Sequence, residues 1–108
     1  MTTLPVRGQI YRVDIGEHGP KPYVVVSNNQ RNRRLDTVLA VRVTTTDKSK
    51  IPTAVPLSGL DPLVGYALAD DITEIWKDEL EQGTYLGALS PKTVLKLNDA
   101  LAQALGIP

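Results

Sequence analysis

Cationic side chains stand close to hydroxyl and amide side chains in the first half of this 108-residue sequence. The set comprises His18, Lys21, Ser27, Asn28, Asn29, Arg31, Arg33, Arg34, Arg42, Thr44, Thr45 and Thr46. Cations bind phosphate groups, while hydroxyl and amide groups form hydrogen bonds with base edges and sugars. The mixture therefore favours contact with a nucleic acid. A plainer interpretation is a solvated basic loop around residues 31–34 and an ordinary strand end at residues 44–46.

The charge distribution supports the same two interpretations. Residues 1–50 hold nine Lys or Arg and four Asp or Glu, whereas residues 51–108 hold three Lys and eight Asp or Glu. Such an asymmetry indicates a surface that faces a polyanion. Alternatively, the two halves complement each other across the fold.

Several chemistries are excluded or disfavoured by residue type. The chain has no Cys and a single His, so disulfides, thiolate metal sites and a Cys nucleophile are ruled out. No strand-to-helix nucleophile elbow surrounds His18, and no Gly-rich phosphate loop precedes a helix. We therefore expect neither a metal nor a cofactor.

Length and composition fit one small folded domain over residues 1–108, with 42% hydrophobic and 22% charged residues. The N-terminus lacks the apolar run of a signal peptide, and no segment approaches the roughly 18 apolar residues of a membrane span. We therefore expect a cytoplasmic protein that makes no contact with a membrane.

Short β-strands must position the polar set. Alternating or β-branched patterns predict strands at residues 9–15, 23–27, 37–44, 52–57, 66–70, 72–75 and 85–89. The run of Val24, Val25 and Val26 indicates a strand buried on both faces. Polar or Gly- and Pro-rich connections are predicted at residues 16–22, 28–34, 45–50 and 58–65, and a surface turn at residues 77–80.

The sequence shows one clear helix, at its C-terminal end. Ser90 is a predicted N-cap, Pro91 fits the first helical position, and Gly106 is a predicted left-handed cap. The apolar residues between them recur at helical spacing. The fold class is therefore mainly β with a C-terminal α-helix, as a small bent sheet or barrel.

Six segments, in order along nearly the whole chain, resemble motifs of the MazF/PemK toxins. Residues 7–14 resemble the opening Gly, apolar, aromatic and Asp pattern, and residues 21–27 resemble an Arg-Pro-x-Val-Val-(Val/Leu)-Ser strand. The others are residues 43–45, similar to a strand that ends in a catalytic Thr, residues 51–53, residues 67–72, similar to an Ala-Asp-Gln-Ile block, and residues 86–91.

The resemblance implies a small SH3-like barrel of the CcdB/MazF/PemK type that acts as a homodimer. It also implies the toxin of a type II toxin–antitoxin system, an endoribonuclease that cuts single-stranded RNA at short sequences without a metal. The implied partners are the RNA substrate and a cognate antitoxin whose disordered, often acidic tail blocks the RNA groove. Attack by the RNA 2′-OH would leave 2′,3′-cyclic phosphate and 5′-OH ends.

The resemblance places catalysis at Lys21 and Thr44. Lys21 occupies the position of the family's Arg, and Thr44 matches the strand-end Thr, with Thr45 as the neighbouring alternative. Asp71 stands where the family carries Gln, so its base preference should differ, because a carboxylate only accepts hydrogen bonds. The full RNA-binding prediction comprises Glu17, His18, Ser27, Asn28, Arg31, Arg42, Thr45 and Asp71.

Two other functions remain open at this point. CcdB-like proteins share the implied fold and poison DNA gyrase, but they end in a Trp-Gly-Ile-like tail, whereas this chain ends in Leu-Gly-Ile-Pro. A plain SH3-like binding domain would need exposed aromatic residues for stacking. The chain offers only four Tyr and one Trp for that purpose.

Overall fold

A computed structural model describes residues 4–16 and 19–108. These residues form six strands and three helices. In chain order they are β1 (Gln9–Asp14), β2 (Pro20–Val25), α1 (Asn29–Arg34), β3 (Thr37–Thr44), β4 (Ala54–Pro56), β5 (Tyr66–Trp76), α2 (Lys77–Gln82), β6 (Thr84–Ala88) and α3 (Pro91–Leu105).

All strands belong to one antiparallel sheet with the order β4-β5-β3-β2-β1-β6. The predicted class, mainly β with a C-terminal helix, is confirmed. The sheet has two ends, β4 and β6, so its hydrogen bonds do not close a ring. The SH3-like barrel therefore stays an expectation drawn from the resemblance.

Both faces of the sheet carry an apolar cluster. One cluster lies under α3 and includes Val24, Val41 and Leu97. The other lies on the opposite face and includes Val25 and Leu80, the latter from α2. Successive residues of a strand point to opposite faces, so Val24 and Val25 are both fully buried. This confirms the prediction of a strand buried on both sides.

Strands form in all the predicted regions, but several bounds differ. The structure has strands at Gln9–Asp14, Pro20–Val25, Ala54–Pro56 and Thr84–Ala88, where the predictions were residues 9–15, 23–27, 52–57 and 85–89. Strand β2 begins at Pro20 rather than at residue 23, because its first residues pair with β1. The predicted strands at residues 66–70 and 72–75 form one long strand, β5, with an irregularity opposite residues 41–43 of β3. The first part of β5 also pairs with β4 along its other edge.

Two predicted connections are in fact short helices. Residues 28–34 contain α1, which Asn28 caps by accepting a hydrogen bond from the Arg31 backbone N–H at 2.8 Å. Residues 77–80 belong to α2, and Leu80 is only 2% exposed, so the predicted surface turn is wrong. Neither segment has the apolar repeat that marks a longer helix, which is why its sequence pattern indicated a loop.

Helix α3 is confirmed with its predicted ends. Ser90 accepts a hydrogen bond from the Thr93 backbone N–H at 3.3 Å, and Gly106 adopts the left-handed conformation. Leu97, Ala100 and Leu101 on one side of the helix are buried against the sheet. No helix in the described part of the chain is long and apolar enough to cross a membrane.

Candidate active site

Lys21 of β2 and Thr44 of β3 lie in neighbouring strands of the sheet. The pairs between these strands run from Val25 and Ala40 to Tyr23 and Arg42, so Lys21 and Thr44 each lie two residues beyond the last pair. Both residues line a cleft of about 440 Å³, which we call the basic cleft. Its lining residues are Arg12, Pro20, Lys21, Pro22, Arg42, Val43, Thr44, Thr45, Thr46, Leu63 and Val64.

The basic cleft is positively charged. Arg12, Lys21 and Arg42 line it, and its described lining includes no carboxylate. Arg42 donates from Nε to Asp71 Oδ2 at 3.2 Å, so part of its charge is balanced. Lys21 is half-buried and forms no ion pair within residues 4–16 and 19–108. Its ammonium is therefore positioned to attract an anionic ligand.

Thr44 is the last residue of β3, and the backbone around it is closely packed. Its Oγ1 accepts a hydrogen bond from the Thr46 backbone N–H at 3.2 Å, so the hydroxyl proton stays available for donation. Gly65 lies against the Thr44 carbonyl, where a side-chain carbon would overlap the oxygen. Thr45 also lines the cleft but is exposed and lies beyond the strand. Both threonines therefore share the cleft with Lys21, and the choice of Thr44 over Thr45 stays a prediction.

Ser27, Asn28 and Arg31 lie outside the basic cleft and have roles within the fold. Ser27 is 6% exposed, and its hydroxyl donates to Asn32 Oδ1 at 2.5 Å and accepts from the Leu39 N–H at 3.0 Å. Asn28 caps α1. Both residues therefore have a role within the fold, and their contact with RNA stays a prediction.

Arg31 also holds the fold together. Its Nη1 donates to the backbone carbonyl of Thr37 at 2.8 Å, and its Nη2 lies 3.7 Å from Glu74 Oε2. The guanidinium is therefore engaged between α1 and β3 rather than directed at the cleft.

The other predicted RNA-binding residues divide into two groups. Arg42 and Thr45 line the basic cleft, and Asp71 reaches it through Arg42. Glu17 and His18 lie outside the described residues. Asp71 also borders a second, acidic cleft of about 530 Å³, lined by Ile15, Tyr23, Asp71, Thr73, Glu74, Trp76 and Glu79.

Arg12, Leu63 and Val64 are among the lining residues that sequence reasoning did not assign to the site. Arg12 is the polar, outward member of the alternating β1 pattern, and its pairing with Pro22 puts it beside the cleft. Leu63 and Val64 come from the connection between β4 and β5. The sequence feature that could have identified Leu63 and Val64 is a pair of apolar residues inside a turn-rich segment.

A search of the described residues for metal-binding groups finds no cluster of three or more His, Cys, Asp or Glu side chains.

Residues 6–105 match the family model described as the PemK-like, MazF-like toxin of type II toxin–antitoxin systems. The chain belongs to this family. It is 54% identical over 104 residues to Endoribonuclease MazF1 of Mycobacterium bovis, a match that covers 96% of this chain and 95% of that protein. The family resemblance read from the six sequence segments is thereby confirmed.

Solved structures agree with the family assignment. A mycobacterial endoribonuclease in complex with its cognate antitoxin is 54% identical, with a TM-score of 0.90 over 96% of this chain and 97% of that one. A MazE–MazF structure from Deinococcus radiodurans is 21% identical, with a TM-score of 0.82 over 98% of this chain and 99% of that one. The second likeness concerns the fold alone. These matches do not favour the gyrase-poison alternative.

Proposed function

We propose that this toxin-family chain is an endoribonuclease that cuts single-stranded RNA at a short sequence without a metal. The observation that carries the proposal is the basic cleft, whose lining includes both Lys21 and Thr44. The names of its mycobacterial relatives, which are called endoribonucleases, support the same activity.

The proposed reaction is an internal transesterification. The RNA 2′-oxygen attacks the adjacent phosphorus, the P–O5′ bond breaks, and the products are a 2′,3′-cyclic phosphate and a 5′-OH. Negative charge grows on the phosphoryl oxygens in the transition state, where fixed donors and cations stabilise it most. Lys21 supplies the cation and the Thr44 hydroxyl supplies a hydrogen bond. Arg12 and Arg42 bind neighbouring phosphates of the same strand.

The reaction also needs a group that takes the 2′-OH proton and one that protonates the 5′-oxygen. The described lining of the cleft includes neither a carboxylate nor an imidazole. We assign these proton transfers to Glu17 and His18, which were predicted as RNA-binding residues and stand four and three residues before Lys21 in the sequence. The pH–rate profiles of Glu17→Gln and His18→Gln, compared with the wild-type profile, test both assignments.

Base selection is assigned to residues that flank the phosphate-binding cations. Thr45 is exposed at the cleft and offers a hydroxyl, while the Arg42–Asp71 pair offers donors and an acceptor side by side. The acceptor-only carboxylate of Asp71 favours a base that presents a donor.

The proposed partners follow from the same surface. A disordered acidic tail of a cognate antitoxin would bind the basic cleft and exclude RNA, in keeping with the antitoxin complex solved for a relative. The active form is proposed to be a homodimer of one domain per chain. Because the proposed substrate is RNA, we propose that the protein acts in the bacterial cytoplasm.

The deciding experiment incubates the purified protein with a long single-stranded RNA in EDTA and sequences the fragment ends. We expect cuts at one short motif with 5′-OH ends. Lys21→Ala and Thr44→Ala should abolish cutting, whereas Lys50→Ala, which removes an equal charge from an exposed position outside the cleft, should not. Intact RNA after incubation with the folded wild-type protein would refute the proposal.

A further inference from the structure

We infer that Leu63 and Val64, in the connection between β4 and β5 (residues 57–65), form a base-selecting wall of the basic cleft. In this inference Val64 contacts a nucleobase, and Asp61 is the positioning residue that holds the wall in place. The inference rests on the proposed RNA cleavage and adds the part of the cleft that faces the base rather than the phosphate.

The basic cleft has two chemically different sides. Arg12, Lys21 and Arg42 supply charge, whereas Leu63 and Val64 supply apolar surface from the β4–β5 connection. An unstacked base in single-stranded RNA has an apolar face that needs cover from water, which proteins provide with flat or apolar side chains. No aromatic side chain is part of the described lining. The aliphatic pair is therefore the surface suited to the base.

Val64 is the member of this pair that a ligand can reach. Its side chain is 80% exposed, whereas Leu63 is partly buried against the core cluster under α3. Leu60 in the same connection is 82% exposed but does not line the cleft. Equal exposure at different places makes Leu60 a matched control for Val64.

Asp61 ties the connection to the start of α3. Its carboxylate accepts hydrogen bonds from the Ser58 N–H at 2.6 Å and the Ser58 hydroxyl at 3.0 Å, both within the connection. It also accepts from the Ser90 N–H at 2.7 Å and the Thr93 hydroxyl at 2.6 Å. One side chain thus joins two segments that are about 30 residues apart in sequence.

Two further contacts fix the connection. The Leu57 N–H donates to the Gly65 carbonyl at 2.9 Å, which closes the base of the loop. Pro62 packs over Gly87 of β6. A Cβ atom added to Gly87 would lie only 3.1 Å from the Cγ atom of Pro62. With Leu63 in the core and Asp61 bound to α3, the wall is held before RNA arrives. Such pre-organisation is what precise base placement requires.

The first test compares Val64→Ser with Leu60→Ser. Cleavage of a randomised RNA pool, followed by sequencing of fragment ends, gives the preferred motif of each variant. We expect Val64→Ser to lose preference at one base position and Leu60→Ser to keep the wild-type motif. Loss of apolar contact with a base should also weaken binding of a fully 2′-O-methylated RNA about tenfold, measured by fluorescence anisotropy.

The second test asks whether Asp61 acts through the wall. Asp61→Asn keeps the size of the side chain but places an amide donor against N–H and O–H donors. We expect it to relax the same base position as Val64→Ser, and the double variant to relax it no further, because both changes disable one wall. A purely structural role would lower stability and leave the motif unchanged.

The outcomes separate this inference from the proposed function. The 2′-O-methylated RNA lacks the attacking hydroxyl, so its binding is measured without cleavage. If the wild-type protein leaves RNA intact, the proposed function fails, and equal RNA affinity of Val64→Ser and Leu60→Ser then overturns the wall as well. If the wild-type protein cuts RNA but both variants keep its motif and affinity, the inference alone is overturned.

Discussion

Lys21 is the residue at which this chain departs from the motif it resembles. An arginine there would grip a phosphate with two parallel donors, whereas a lysine offers a compact, mobile charge. The structure compensates in part, because Arg12 and Arg42 line the same cleft. Phosphate binding can therefore be shared among three cations, with Lys21 beside Thr44.

We predict that the charge at position 21 matters more than its shape. Lys21→Gln should lower the cleavage rate about 10²- to 10³-fold, the usual cost of losing one transition-state donor. Lys21→Arg should keep a rate within about tenfold of the wild type. Single-turnover cleavage of a short motif-containing RNA measures both. A Lys21→Gln rate equal to the wild-type rate would remove Lys21 from the mechanism.

Asp61 should also control stability in acid. Partial burial raises the pKa of its carboxyl group, but hydrogen bonds from Thr93, Ser90 and Ser58 outweigh this effect and lower the pKa to about 2. Because the folded-state pKa lies below the ordinary value of 3.8, the stabilisation is complete above about pH 4. It is lost as the pH falls from about 4 through about 2.

The variant Asp61→Asn tests this dependence of stability on pH. We expect its free energy of unfolding at pH 7 to be about 1 to 2 kcal/mol lower than that of the wild type, allowing for screening by water. The difference should shrink as the pH falls from about 4 to 2. Urea unfolding at several pH values measures it, with exposed Asp99→Asn as the control. A constant difference across this range would contradict the pKa argument.

At the scale of elements, the site depends on how β3 meets β5. The two strands pair on both sides of an irregularity between Val41 and Val43. Beyond the irregularity, Thr44 lies opposite Tyr66. Gly65, just before β5, has φ of 132° and lies against the Thr44 carbonyl. Because only glycine adopts this conformation without strain and leaves that space, the position of Thr44 depends on Gly65.

We therefore predict a large effect of Gly65→Ala on both stability and activity. The added carbon should cost roughly 2 to 4 kcal/mol through backbone strain and overlap. It should also slow cleavage, because Thr44 must shift.

Gly59→Ala serves as the control in the same connection. No atom lies within 4 Å of the place of its Cβ, so the change should be close to neutral. The thermal unfolding midpoints and the cleavage rates of both variants test whether Gly65 positions Thr44. Similar behaviour of the two variants would show that Thr44 is not positioned through Gly65.

For the whole molecule, the uneven charge of the sequence has two consequences. The three cations of the basic cleft all come from residues 1–50, and the carboxylates of the acidic cleft all come from residues 51–108. The ion pairs Arg31–Glu74 and Arg42–Asp71 each join the two halves. The ion pairs therefore realise the interpretation of complementary halves, while a polyanion-facing surface at the basic cleft stays a prediction.

The salt dependence of RNA binding should reflect this cleft. Neutralising about three phosphates of a single strand predicts a slope of about −2 in log affinity against log salt concentration. Anisotropy titrations of 2′-O-methylated RNA at several salt concentrations measure it. Arg12→Gln should make the slope shallower, whereas the exposed Arg33→Gln of α1 should leave it unchanged. A slope near zero would mean that the cleft does not bind phosphates.

The open sheet also bears on assembly. Strands β4 and β6 form the two edges of the sheet, and unpaired edges invite association unless another chain or element covers them. We predict a homodimer, with a scattering mass about twice the 11.8 kDa of one chain at micromolar concentration. A mass equal to one chain would contradict this prediction.

The sequence by itself determined the elements with strong local patterns. β-Branched runs marked β2 and β3, and the Ser90 cap, Pro91 and Gly106 marked both ends of α3, because these signals act between neighbouring residues. It also identified Lys21 and Thr44 as a pair through the family resemblance.

The tertiary structure decided which of the polar residues share a surface. Lys21 and Thr44 line the same cleft, while Ser27 and Arg31 are engaged inside the fold, although all four belong to one polar set in the sequence. It also placed Val64 in the lining of the basic cleft, in a connection whose Asp61 accepts hydrogen bonds from Ser90 and Thr93. These outcomes depend on contacts between residues far apart in the chain, and a local sequence pattern carries no record of such contacts.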